Sequence, residues 1–289
     1  MLASCTEEIT MELPEGRLRP VVEGSITDEY KRHEVILSYS SELYDTTGME
    51  MISGAKVYVR CGSDTIWYIE QEDRPGHYLS DSVAGQRNRW YHLEVTVDAD
   101  HNIYSRNLRM YADTKMMNNA LCIDSVGLLP LRDSVGLPIV NEDAAVCVCP
   151  YFQTLSDSTI VYNAELYLNG SHFKNRPSKL FNLIPMQGYA GYYFNGEEML
   201  ADGEYEVAVG IMNKVYMHEG DVVKVKLYSV SKDYMYFLMS QKLAVGVNPI
   251  MGAFPAAFTN IFSSCDAIGW FNATSVIEGS GIYHESIYR

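Results

Sequence analysis

Leu2-Ala3-Ser4-Cys5, with the polar run Thr6-Glu7-Glu8 behind it, places one thiol after two small residues. That is the pattern cut by the bacterial lipoprotein signal peptidase, whose membrane-embedded active site admits only small side chains ahead of the cysteine. Cys5 would then be diacylated, and several acyl chains on one cysteine anchor a protein stably where a single chain does not. The apolar segment that usually precedes such a cysteine is absent, as expected of a chain trimmed near its processing site or starting late at Met1. Gly188-Tyr189-Ala190-Gly191-Tyr192-Tyr193-Phe194-Asn195-Gly196 could carry a second kind of chemistry. Aromatic faces stack on sugar C–H faces or hold apolar ligands, so Tyr189, Tyr192, Tyr193 and Phe194 form a candidate ligand surface. The chain holds 22 tyrosines, and half-buried strand tyrosines are the competing reading.

Glu197, Glu198 and Asp202, with Glu204 beyond, cluster around Gly196 and Gly203 and are candidate calcium ligands. A solvated turn competes with that reading. Asp98-x-Asp100-x-Asn102 has the alternate-oxygen spacing of a calcium loop, but Ile103 and Arg109 stand where such a loop needs glycine and glutamate. A polar hairpin is therefore expected there. Ser53-Gly54-Ala55-Lys56 matches the Ser-x-x-Lys of penicillin-binding enzymes, yet it leads into a strand and no Lys-Thr-Gly accompanies it. No nucleophile elbow, zinc-protease helix or phosphate-binding loop occurs, so no catalytic residue and no cofactor are expected.

Charge narrows the partners. With 22 Lys and Arg against 37 Asp and Glu, the formal charge is −15, which argues against nucleic acid and against adsorption on an anionic membrane. No stretch reaches the roughly 18 apolar residues of a membrane-spanning helix, so membrane attachment is expected through the lipid anchor alone. Apart from Cys5 there are Cys61, Cys122, Cys147, Cys149 and Cys265. An odd number leaves at least one thiol unpaired within the chain. Cys147 and Cys149 would share one face of a strand without a second pair at zinc spacing, so core cysteines are expected.

The elements that would position these groups read as strands. Residues 20–26, 33–40, 55–60, 65–70, 91–97 and 102–105 are short β-branched and aromatic runs split by Gly, Asp and Asn, as in an antiparallel sandwich. From about Met110 to Val140 the pattern weakens into a long connection. Strands return at Ala144–Phe152, Asn163–Leu168, Gly203–Val209 and Val222–Val230, and Asn169-Gly170 is a strong hairpin signal. Ser231 is placed to cap one helix, Tyr234 to about Leu243, with Asp233 at the positive end of its dipole. Gly279-Ser280-Gly281 argues against a long C-terminal strand. The expected organisation is a tether over 1–19, a sandwich over 20–109 and a larger β-rich domain over 110–289.

Several segments carry a family resemblance: Leu18 to Asp28, Ile52 to Val59, Pro75-Gly76-His77-Tyr78, Gln86 to Val95, and Phe254 to Ile261 running into Ala267-Ile268-Gly269-Trp270-Phe271. In that order, behind a lipobox cysteine, the series resembles a family of Bacteroidetes outer-membrane lipoproteins carrying domain of unknown function 4249. Genes of that family often lie near those of TonB-dependent receptors. The resemblance implies an all-β chain with an N-terminal Ig-like or transthyretin-like sandwich, then a larger β-rich part with one short helix. It carries no reaction and no catalytic residues.

The expected function is that of a non-catalytic cell-envelope lipoprotein on the periplasmic or surface face of the outer membrane. Its expected partners are a TonB-dependent receptor and a carbohydrate or other small ligand. The rival readings are a pilus or adhesin subunit, processed near Arg17 or Arg19, and a hydrolase assembled from dispersed residues. Asp64-Thr65-Ile66, Asp81-Ser82-Val83, Asp124-Ser125-Val126 and Asp157-Ser158-Thr159 also resemble the short O-glycosylation signal of exported Bacteroidetes proteins.

Overall fold

A computed structural model describes residues 18–40, 49–118, 122–130, 144–152, 160–172, 181–183, 199–201, 204–207, 215–238 and 258–285. Its first seven strands are β1 (Pro20–Thr27), β2 (Glu34–Tyr39), β3 (Lys56–Cys61), β4 (Asp64–Gln71), β5 (Arg74–Ser80), β6 (Trp90–Val97) and β7 (Leu108–Lys115). Their sequences alternate, and the alternation decides what is buried. In β6, Tyr91, Leu93, Val95 and Val97 face inward, and in β1 Val22 and Ile26 do so while Glu23 and Ser25 face out. These inner residues form one cluster with Val35, Leu37, Val57, Val59 and Tyr78.

Next come β8 (Ser125–Pro130), β9 (Ala144–Tyr151), β10 (Ile160–Leu168), β11 (Ser171–His172), β12 (Phe181–Leu183), β13 (Met199–Ala201), β14 (Glu204–Val207) and β15 (Val215–Met217). β16 (Val222–Ser231), a helix α1 over 232–238, β17 (Phe262–Ser263) and β18 (Ile268–Ile282) complete the described elements. Asn169 and Gly170 both adopt positive φ between β10 and β11, the geometry of the tightest hairpins. Ser231 Oγ accepts the Tyr234 amide at 3.1 Å, so the helix is capped as its sequence indicates. No helix among the described residues is long and apolar enough to cross a membrane.

The chain is all-β with one short helix among its described residues. A large mixed sheet runs β11-β10-β16-β18-β1-β2-β5-β4-β3-β6-β7-β17, with β12 beside β10, and β15-β9-β8 and β13-β14 form two smaller sheets. The joint of the large sheet is β18. Residues 268–274 pair in parallel with β1, and residues 275–282 pair antiparallel with β16. Where β18 leaves β1, the Asp28 carboxylate accepts the Val276 amide at 2.7 Å and is held by Arg87 at 2.7 Å. Phe271 and Ala273 join the first cluster, whereas Ile277 belongs to a second with Leu128, Leu166, Val225 and Leu227.

Three sequence expectations fail here. β18 is continuous through Gly279 and Gly281, where β8 and the residues leading into it pack so close that a Cβ on either glycine would lie 2.7 Å from Ile123 or Val126. The weak region after Met110 holds the rest of β7 and all of β8. Asn102 to Ser105 is a turn, not a strand: Asn102 Nδ2 donates to the Asp98 and Arg106 carbonyls at 2.7 and 2.9 Å and fastens the β6–β7 connection.

Candidate functional site

The turn of phase that buries Phe271 and Ala273 puts Trp270, Asn272 and Thr274 on the other face of β18. The sheet register supplies their neighbours. Glu23, Ser25 and Thr27 of β1 stand opposite Trp270, Asn272 and Thr274. On the far side, Tyr228 and Val230 of β16 adjoin, and Asn163 and Glu165 of β10 pair with Tyr228 and Lys226. Capping by Ser231 sets α1 across this face, so that Tyr234 and Phe237 lie 5.7 and 5.1 Å from the Trp270 ring, centroid to centroid. The aromatic contacts anchor the helix and line one wall.

A groove of two adjoining lobes results. The larger, of about 530 Å³, lies between this wall and the 31–36 segment and is lined by Glu23, Lys31, Arg32, Glu34, Tyr234 and Trp270 among others. The smaller, of about 220 Å³, is lined by Ser25, Asn163, Glu165, Tyr228, Asn272 and Thr274 with Lys31 at its mouth. Asn272, only 5% exposed, lines this lobe. The buried Oδ1 of Asn163 has no hydrogen-bond partner among the described residues. Buried amides in native proteins almost always find a partner, so this lobe asks for a polar occupant.

Glu165 accepts hydrogen bonds from the Tyr228 and Tyr167 hydroxyls at 2.8 and 2.9 Å. Burial, reinforced by that carboxylate, pushes the Tyr228 phenol far above its ordinary range and the Tyr167 phenol up to about 12. Both remain hydrogen-bond donors at any physiological pH. Burial and the Glu23 and Glu165 carboxylates also raise Tyr234 to about 12.

The rim is charged and internally paired. Glu29 receives Lys226 on one oxygen and Lys31 on the other. Burial alone would raise its pKa, but the two ammonium groups outweigh burial and hold it down to about 2. Beneath this rim His33 is buried, its Nε2 2.9 Å from the Val83 carbonyl and its Nδ1 3.4 Å from the Thr27 amide. That pairing assigns the proton to Nε2 and leaves Nδ1 an acceptor. Burial, assisted by Lys31, lowers its pKa.

Of the residues singled out in the sequence, Cys5, Tyr189, Tyr192, Tyr193, Phe194, Glu197, Glu198 and Asp202 lie outside the described residues. So does Asp157-Ser158-Thr159. Asp98 is engaged with Lys56 at 3.4 Å, and Asn102 is spent on its own turn. Thr65, Ser82 and Ser125 are exposed. Cys61 and Cys265 are buried free thiols, and Cys122 is an exposed one. The groove residues were missed because they come from six separate elements, β1, β2, β10, β16, α1 and β18. One signal was present: Asn272 interrupts the run Trp270-Phe271-Asn272-Ala273, where a strand core would carry an apolar side chain.

An all-β chain with a polar groove on the strand that joins its two hydrophobic clusters is the class that fold and site define. The family model described as Domain of unknown function (DUF4249) matches residues 6–279, and the chain belongs to that family. No curated protein matches the chain.

Proposed function

We propose that the chain is a non-catalytic, ligand-binding lipoprotein of the outer membrane that serves a TonB-dependent uptake system. The observation that carries the binding reading is the groove beside β18, where the polar side chains of Asn163, Glu165 and Asn272 converge next to an aromatic wall. Pockets that bind small ligands commonly combine an apolar wall with a few convergent polar groups, and together the lobes lie in the usual size range. Leu2-Ala3-Ser4-Cys5 supports attachment at the envelope. The resemblance to lipoproteins encoded near TonB-dependent receptors supports the choice of partner.

Affinity purification of the full-length lipidated protein from its native outer membrane, followed by mass spectrometry, tests this. A β-barrel receptor in stoichiometric amount is the expected result. Homopolymers would favour the pilus or adhesin role, and a clean preparation with no partner would remove the transport role.

A further inference from the structure

We infer that the smaller lobe of the groove is a subsite for a neutral, polyhydroxylated ring, as in an oligosaccharide; this rests on the ligand-binding reading above. Its walls carry the side-chain amides of Asn163 and Asn272 and the hydroxyls of Ser25 and Thr274, and the Asn163 Oδ1 has no hydrogen-bond partner among the described residues. A carboxamide presents both donors and acceptors, so its natural complement is a group that both donates and accepts, as each hydroxyl of a sugar does. Glu165 accepts two phenolic hydrogens, and a carboxylate has lone pairs to spare for a ligand hydroxyl.

Charge argues for neutrality. Lys31, at the mouth of the lobe, already pairs with Glu29 at 2.6 Å, and so does Lys226. An anionic ring would face the Glu165 carboxylate inside the lobe, while the ammonium groups of Lys31 and Lys226 are turned to Glu29. A purely apolar ligand would cover the polar side chains of Asn163, Glu165 and Asn272 without giving them hydrogen bonds. Tyr234 borders both lobes, so a second ring of the same ligand would rest against the wall that it forms with Trp270.

The test is calorimetric titration of the whole chain with neutral gluco-, manno-, galacto- and xylo-oligosaccharides, and with their uronate counterparts. At least one neutral series should saturate, and Asn272→Leu should weaken it roughly tenfold, the value expected for one lost buried hydrogen bond. Hydrogen–deuterium exchange of the unaltered protein should show that sugar protecting 270–275 and 226–230, which decides the matter even if the variant fails to fold. The same titration with glycan released from lipopolysaccharide separates a surface polymer from a free nutrient. Binding of uronates only, no saturation by any neutral series, or protection elsewhere would overturn the inference. A receptor that co-purifies while no sugar binds would leave the transport role standing and remove only this ligand class. A sugar that binds without any receptor would do the reverse.

Discussion

Lys226 on β16 donates a hydrogen bond to Glu29 in the turn after β1, across 197 residues of sequence. Lys31 occupies the other carboxylate oxygen. The pair ties the turn after β1 to β16, two segments that contribute Lys31 and Tyr228 to the lining of the smaller lobe.

Glu29 should therefore couple stability to pH. Its folded pKa of about 2 lies below the ordinary 4.5, so the unfolded chain binds the extra proton in that window. The stabilisation is complete above about pH 4.5 and is lost as pH falls towards 2. Glu29→Gln should cost about 1–2 kcal/mol at pH 7, after allowance for partial solvent screening. Urea unfolding at pH 7 and pH 3 checks this: the gap between variant and parent should narrow at the lower pH, and an unchanged gap refutes it.

His33 works in a different window. Its lowered pKa means that the unfolded imidazole, near its ordinary 6.5, takes up a proton before the folded one does. Stability present above 6.5 should thus fall as pH drops below it. A protonated Nδ1 would also oppose the Thr27 amide rather than accept from it. Melting temperatures from pH 7.5 to 5.5 should decline more steeply in the parent than in His33→Gln. Parallel slopes would exclude His33 as the coupled group.

Gly269 and Gly279 should each resist substitution, for different reasons. Gly269 has φ +112°, and a Cβ there would meet the Val22 carbonyl oxygen at 2.1 Å, backbone against backbone. Gly269→Ala should therefore break the β1–β18 pairing and abolish soluble expression. At Gly279 the obstacle is the Ile123 side chain at 2.7 Å, which can yield, so Gly279→Ala should lose about 1–3 kcal/mol. In Gly279→Ala/Ile123→Ala, which removes the Ile123 Cγ2, the combined loss in chemical denaturation should be smaller than the sum of the two single losses.

Local features of this fold were legible because they depend on neighbours in sequence. Alternation in Val22 to Ile26 and in Tyr91 to Val97, the Asn169-Gly170 turn and the Ser231 cap are all set within a few residues. β18 was not legible, since its glycines answer to Ile123 and Val126, in and just before β8, far away in sequence. Nor was the groove, because Asn163, Glu165, Tyr228 and Asn272 converge only through strand register. Asn102 misled for the opposite reason: its neighbours Ile103 and Tyr104 have strand character, but its own amide closes a turn.

Expression of residues 18–118 alone should give an unfolded product, because Phe271 and Ala273 belong to the same core as Val22 and Ile26. A peptide spanning 258–285, added during refolding, should restore cooperative unfolding followed by circular dichroism. A fragment that folds without the peptide would show that the first cluster closes by itself.

The partnership of Val21 with Ile268 also orders events in time. A chain emerging from a ribosome or a translocation pore presents β1 early and must wait for nearly all the rest before its parallel partner appears. Contacts of such sequence separation form late and slowly. Until then one flank of β1 is an open ladder, and an open ladder invites the wrong strand. Export in an unfolded state is thus compatible with this topology, whereas piecemeal folding during synthesis would leave the polypeptide exposed to self-association until its closing strand arrives.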